Sequence, residues 1–278
     1  MDFKVEYPKI KGGCIFMGNI KIVIDAGHGL YTAGKRCMKS IDKNETREWV
    51  LNARIADKLE KLLSNYNCEI LRVDDKTGNK DISLSHRVKN ANSWKADVYI
   101  SIHHNAGIYG GSGGGTVIFY YSSKEERKEQ TQRLYNAIVN KTGLVGNRST
   151  KIKKYAYYVI KKTDMPAFLI ENGFMDSKVD VPILLSEEHA DKTAQGILDF
   201  LVNEYKLEQK ENKTFKVKIK DDVELNIRDG AGIQYKINGV IKDHGVYTIV
   251  KIENTNWGKL KSGAGWISIH EKYVDRLE

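Results

Sequence analysis

The sequence predicts an α/β domain built on a single mostly parallel or mixed sheet flanked by helices, followed by a small all-β barrel. Three observations carry this. Up to about residue 205, short β-branched runs alternate with amphipathic helical stretches, the pattern of a sheet covered on both faces. Residues 206–214 (KLEQKENKT) have no apolar period and read as a linker. From 215 to 278, short β-type runs are separated by glycine-containing turns.

The first strand is Ile22-Val23-Ile24, which runs into the turn Asp25-Ala26-Gly27-His28-Gly29. A histidine on a bare loop at the end of a buried strand has rigid support and open access. Residues 30–44 form a loop, and a helix is expected over 45–63, with Leu51, Ile55, Leu59 and Leu62 on one face and Glu45 and Glu48 in its first turn. A second strand covers 68–73. Ser83 caps a helix to about Trp94, with Leu84, Val88 and Ala91 inward. The third strand covers 97–103 and leads into a glycine-rich loop, and the fourth covers 116–121. Ser123 and Glu126 have the spacing of a capping box for a helix that stops at Gly143. A basic loop (144–154), strands at 157–160 and 167–170, and a helix capped by Ser186 complete the domain. In the C-terminal part, strands are expected at 215–219, 224–227, 247–252, 257–260 and 266–269. Asp229-Gly230, Asn238-Gly239 and His244-Gly245 serve as turns.

With 41% hydrophobic and 29% charged residues, the chain has the composition of a globular protein, and no apolar run reaches the roughly 20 residues of a membrane span. The N-terminus shows no secretory signal. A net charge of +9 favours anionic partners, but no RNA-binding aromatic motif or helix-turn-helix accompanies it, so nucleic acid is not expected. Cys14, Cys37 and Cys68 are too scattered for a disulfide framework and are assigned no role. Residues 1–18 form an extension without a period, and Lys11-Gly12-Gly13 is encodable as a ribosome-binding sequence, which leaves Met1 and Met17 both open as the natural start.

Ligands and catalytic groups gather beyond the carboxyl ends of strands in α/β sheets. His28, Glu48, His103 and Glu171 all stand at such ends or at the start of a helix. Two histidines and a carboxylate make a three-ligand zinc site, and a further carboxylate can act as general base.

The blocks Ile22–Gly29 (IVIDAGHG), Ser101–Ala106 (SIHHNA) and Pro166–Phe174 (PAFLIENGF) resemble those of the zinc-dependent N-acetylmuramoyl-L-alanine amidases of the amidase-3 type, found in autolysins, sporulation amidases and phage endolysins. The resemblance covers about residues 20–205. It implies zinc ligands at His28, Glu48 and His103 and a catalytic glutamate at Glu171. Glu48 stands seven residues before Ile55-Ala56, as the ligand does in that family, with Glu45 as the alternative. Arg87, Asn90 and Asn92 match a segment read as structural support. Asn105 is open between substrate and loop backbone, and His104 points away from His103. His86, His189, His244 and His270 are expected at the surface. Leu225–Gly230 (LNIRDG) and Gly265-Trp266-Ile267 resemble blocks of a bacterial SH3-like domain, which implies a wall-binding module. Trp257 and Trp266 are read as its core, while Tyr235, Tyr247 and Tyr273 are either core or binding surface.

The expected organisation is therefore an extension (1–18), a zinc amidase domain (19–205), a linker (206–214) and an SH3-like domain (215–278). The implied cofactor is Zn2+. The implied substrate is bacterial peptidoglycan, cleaved between N-acetylmuramic acid and L-alanine, with anionic wall polymers as a further partner and no membrane insertion. A phage endolysin made in the host cytoplasm and released through a holin pore fits best. A sporulation or autolytic amidase and a non-catalytic wall-binding protein are the alternatives.

Overall fold

The computed structural model describes residues 19–147, 149–210 and 214–277. The expected extension and the possible start at Met17 lie outside the described residues. Contacts divide the chain into two units, one ending at Gln209 and the other beginning at Lys210.

The first unit runs β1 (Ile20–Ala26), α1 (Glu48–Leu63), β2 (Cys68–Arg72), α2 (Leu84–Ser93), β3 (Val98–Asn105), β4 (Thr116–Tyr120), α3 (Glu125–Thr142), β5 (Ile152–Lys154), α4 (Tyr158–Lys162), β6 (Ala167–Phe174), α5 (Val181–Leu184) and α6 (Glu187–Tyr205). Its six strands lie in the order β2-β1-β3-β6-β4-β5. All pairs are parallel except β4 against β6. Strand alternation splits the core in two. Ile22, Ile24, Ile100, Ile102, Phe168 and Ile170 pack with α1, α3 and α6. Val23, Tyr99, Val117, Phe119 and Leu169 pack on the other face with Val88 and Ala91 of α2 and Val159 and Ile160 of α4.

Several local expectations need correction. The first helix begins at Glu48 rather than Glu45, which sits before it at φ +49°. Leu84, at the first turn of α2, is exposed. The Ser83 and Ser186 caps are present, accepting from His86 N and His189 N. The Ser123–Glu126 capping box is not: Lys124 is the N-cap and makes no side-chain cap bond. Gly143 ends that helix in the left-handed region, its N–H donating to Val139 O. The strand expected at 157–160 is instead helix α4, and the sheet edge is taken earlier, by Ile152–Lys154. Five residues with Val159 and Ile160 buried fit one turn of helix as well as a strand, and pairing with β4 decides between them.

Within the expected linker, Leu207 is buried in the first unit's core and Gln209 bridges to Tyr66. The second unit contains β7 (Phe215–Ile219), β8 (Leu225–Arg228), β9 (Ile237–Ile241), β10 (Val246–Glu253), β11 (Trp257–Leu260), β12 (Trp266–Ser268) and β13 (Val274–Leu277). They form an antiparallel sheet in the order β13-β7-β10-β11-β12-β8-β9. Each strand sends at least one residue into or against a single core, so the sheet curls around it. Two strands, β9 and β13, were not expected. Asn238-Gly239, read as a turn, lies inside β9, paired with β8 across a register shift. Trp266 is buried and Trp257 half-buried. Among the described residues no helix is long and apolar enough to cross a membrane.

Candidate metal centre

At the carboxyl end of β1 the backbone turns at Gly27 and carries His28 at φ +67°, a left-handed conformation that costs a non-glycine residue of order 1 kcal/mol or more. What holds it is Arg87, a fully buried side chain of α2. Its guanidinium donates to His28 O at 3.0 Å, Ala26 O at 2.9 Å and Ile82 O at 2.7 Å, and pairs with the Asp25 carboxylate. Asp25 also accepts from Tyr99 Oη at 2.8 Å and Ser101 Oγ at 3.0 Å. This closes the polar demand of a buried charge pair, without which burial would be destabilising. Gly27 is required by packing: a Cβ there would run into the His103 ring.

His103 lies on β3 and points to the same face as Tyr99 and Ser101. Glu48, the first residue of α1, is 1% exposed. Its Oε1 is 3.4 Å from His28 Nε2 and 3.1 Å from His103 Nδ1. One ligand atom from each of the three residues lies within 4.8 Å of the others. Burial opposes ionisation of Glu48, but hydrogen bonds and charge from His103 and His28 hold its carboxyl well below the usual range. Burial likewise works against the charged form of His103, and the Glu48 contact outweighs it, leaving the imidazole raised. Glu48 Oε2 is buried without a hydrogen-bond partner. Two imidazoles, one carboxylate and an unsatisfied carboxylate oxygen fit a zinc ion. Glu45, the alternative ligand, instead pairs with Arg36 at 3.2 Å and Lys39 at 3.8 Å.

Glu171 is directly opposite His103 in the β3–β6 register, just before that pairing shifts. It is 9% exposed, its Oε2 has no partner, and burial raises its carboxyl to about 7. A carboxyl poised near neutrality beside a metal-ligand set can both take and give a proton.

Two further side chains near the site, Lys35 and Asn52, were not singled out by the sequence. Lys35 Nζ lies 3.8 Å from Glu48 Oε2, and its charge also favours the ionised form of Glu171. Asn52, one turn beyond Glu48, donates to Gly27 O at 3.1 Å and meets His104 Nδ1 at 2.8 Å. His104 thus packs beneath the site, and burial pushes it down to about 3. His189, expected at the surface, is 4% exposed on α6 and is pushed down to about 4 by burial. His86, His244 and His270 are exposed. Asn105 serves the loop backbone, accepting from Ala106 N. Asn92 bonds Lys162 O and Asp164 N, tying α2 to the loop before β6. Cys37 is buried, its thiol pushed up to about 12 by burial and nearby carboxylates, which removes it as a nucleophile.

A two-histidine, one-carboxylate donor set with a separate buried carboxylate, at the carboxyl edge of an α/β sheet, is the arrangement that metal-dependent hydrolases use. The chain belongs to the N-acetylmuramoyl-L-alanine amidase family of the amidase-3 type, whose model matches residues 22–203. It is 30% identical over 200 residues to N-acetylmuramoyl-L-alanine amidase CwlM of Bacillus licheniformis, covering 72% of this chain and 74% of that protein. It is 28% identical over 272 residues to an endolysin of Bacillus phage SPP1, covering 90% and 96%. Among solved structures, the catalytic domain of the amidase CwlV from Bacillus (Paenibacillus) polymyxa superposes with a TM-score of 0.60 at 28% identity, covering 68% of this chain and 99% of that one.

Proposed function

We propose that this chain is a zinc-dependent peptidoglycan hydrolase that cleaves the amide between N-acetylmuramic acid and the L-alanine of the stem peptide, and that it works as a phage endolysin. The observation that carries the chemistry is Glu171: a buried, partnerless carboxyl raised to about 7, facing His103 across two paired strands. His28, Glu48 and His103 would hold the zinc. Zinc bound there supplies a Lewis acid that polarises the scissile carbonyl and brings the pKa of a water to about 7. Glu171 takes the proton of the attacking water and passes it to the leaving amide nitrogen. Arg87 and Asp25 keep the His28 loop in its strained form, so the donor set needs little rearrangement to bind. Lys35 adds positive charge at the same mouth, where negative charge develops on the attacked carbonyl.

The second unit is proposed as a wall-binding, SH3-like module that raises the enzyme's effective concentration on an insoluble substrate. The match to the phage endolysin supports this and favours the endolysin reading, because it covers 90% of this chain and so extends beyond the amidase domain. A holin-released enzyme acting on the wall from inside follows from that reading. The net charge of +9 suits anionic wall polymers. A sporulation or autolytic amidase of the same chemistry is the second reading, favoured by the 27% identity over 190 residues to a sporulation-specific N-acetylmuramoyl-L-alanine amidase of Bacillus subtilis.

Digestion of purified peptidoglycan tests the proposal. New L-alanine amino groups without new reducing sugar ends are expected. New reducing ends in their place would make the chain a glycosidase.

A further inference from the structure

On the β4–β5 side of Glu171, on the same sheet face, stands an aromatic cluster that the chemistry above does not use. Phe119 of β4 is on the sheet face that carries Glu171: β4 pairs with β6 through Val117 opposite Glu171 and Phe119 opposite Leu169. The Phe119 ring is buried, and two tyrosines stand on it. Tyr157 meets it edge-on at 5.0 Å between centroids, and Tyr155 at 6.1 Å. The two tyrosine rings are 4.6 Å apart.

Their placement is built rather than incidental. Tyr155 N donates to Tyr120 O at 2.9 Å, extending the β5–β4 pairing by one residue. Tyr157 is extended (φ −60°, ψ 143°) as the N-cap of α4, so side chains at 155 and 157 leave the backbone on the same side. Both rings remain open to solvent, Tyr155 at 57% and Tyr157 at 37%. The hydroxyl of Tyr157 is raised by burial and then by the charge of Glu171, which places it within the electrostatic reach of that carboxylate.

The metal donor set is on the β1–β3 side of Glu171 and the tyrosines are on the β4–β5 side. The tyrosines share the sheet face of Glu171 but lie three residues nearer the amino end of β6, since β4 is antiparallel to β6 and Tyr155 follows β5 beside Tyr120, which is opposite Phe168. A glycan strand that leaves the scissile amide on this side and runs along β4 and β5 crosses them. Pyranose rings present flat C–H faces with hydroxyls at the rim. Tyrosine offers the matching surface, an apolar ring face with a polar tip. Tyr121 and Lys161, whose ammonium lies 5.7 Å from the Tyr121 ring centroid, extend the surface.

We infer that Tyr155 and Tyr157, seated on Phe119, form a sugar-stacking platform that holds the glycan strand of the substrate on the β4–β5 side of Glu171. The platform rests on the amidase reading above and deepens it by assigning the β4–β5 side of the cleft to sugar and leaving the other side to the stem peptide.

Two soluble substrates separate the alternatives: a muropeptide carrying a tetrasaccharide, and the same peptide on a single N-acetylmuramic acid. For the wild-type enzyme the longer glycan should raise kcat/KM. An aromatic contact contributes up to about tenfold beyond its buried area, so the ratio of kcat/KM (long over short) should fall about tenfold in Tyr155→Ala/Tyr157→Ala. Tyr155→Phe/Tyr157→Phe keeps the rings and should restore the ratio. In parallel, N-acetylglucosamine tetramer should shift the tyrosine resonances of the wild-type protein, and a stem peptide without sugar should not. An unchanged ratio in the alanine variant overturns the platform, as does a tyrosine response to peptide alone, which would put the peptide on this side. If the wild-type protein cleaves neither substrate, the amidase reading itself fails and the platform falls with it. Cleavage of both with no tyrosine dependence overturns the platform alone.

Discussion

The two units of the chain bury different things. In the first, Asp25, Glu48, Arg87, His104, Glu171 and His189 are each at most 9% exposed. In the second, every buried residue among the described ones is apolar or a glycine. Burying an ionisable group costs several kcal/mol unless partners satisfy it. On the proposed function, the first unit carries that cost because proton transfer by Glu171 needs a carboxyl out of water, and because a metal-donor set needs its loop held. The second has no such demand: one core cluster is enough to hold a surface in shape. If the second unit is the wall-binding module proposed above, chemistry and attachment impose opposite rules on two parts of one polypeptide.

The largest expected break falls on Glu171. Glu171→Gln keeps size but cannot accept a proton, so turnover should drop by about two to four orders of magnitude while zinc content stays near that of the wild type. Glu48→Ala should lose zinc and activity together. Metal analysis beside a muropeptide assay decides this, and a Glu171→Gln protein that has lost its zinc would reverse the two roles.

The next test is of the buried pair. Arg87→Ala strands the Asp25 charge and releases the His28 carbonyl, and should cost about 3–5 kcal/mol in denaturant unfolding. Lys242→Ala in the second unit removes an exposed partner of Glu224 and should change stability by less than about 0.5 kcal/mol. Similar losses from both would erase the contrast between the units.

Acid should also separate them. His104 and His189 are held neutral at about 3 and about 4, below the ordinary value near 6.5. Their contribution to stability is complete above about 6.5 and is lost as pH falls toward those folded-state values. Glu171 works in the opposite sense, its stabilising effect present at low pH and lost as pH rises through about 7, so it offsets one histidine of the two. In the zinc-free protein, hydrogen exchange should show the first unit loosening between pH 6.5 and 4 while amides of β7, β10 and β13 stay protected. Equal loosening of both units would mean that the buried histidines do not govern acid stability.

The smallest expected effect is that of removing the second unit. Truncation after Gln209 should leave hydrolysis of soluble muropeptides within about twofold and reduce lysis of whole cells, because each unit has its own core. A truncated protein that is inactive on muropeptides would show that the units depend on one another.

Local patterns in the sequence were enough to identify the α/β class, most strands and the residues that end them. A β-branched run followed by glycines is a strand and a turn whatever surrounds it; three separated blocks were enough to nominate His28, His103 and Glu171, and the spacing to Ile55-Ala56 added Glu48 with Glu45 as its alternative. Where a signal was local but ambiguous, tertiary pairing decided: Tyr158–Lys162 became a helix once Ile152–Lys154 had taken the sheet edge, and Asn238-Gly239 lies in a strand because β8 pairs with it. The remaining features came from contacts between distant parts of the chain. Arg87 meets Asp25 and the His28 carbonyl, Lys35 meets Glu48, and Tyr155 and Tyr157 meet Phe119 only because the strand order is β2-β1-β3-β6-β4-β5. Periodicity reports which face of an element is apolar, and it carries no information about which element that face will meet. His189 shows the limit: a single histidine amid the polar residues of a helix reads as surface, and only its place in the fold, against Asn172 of β6 and near His104 of β3, buries it.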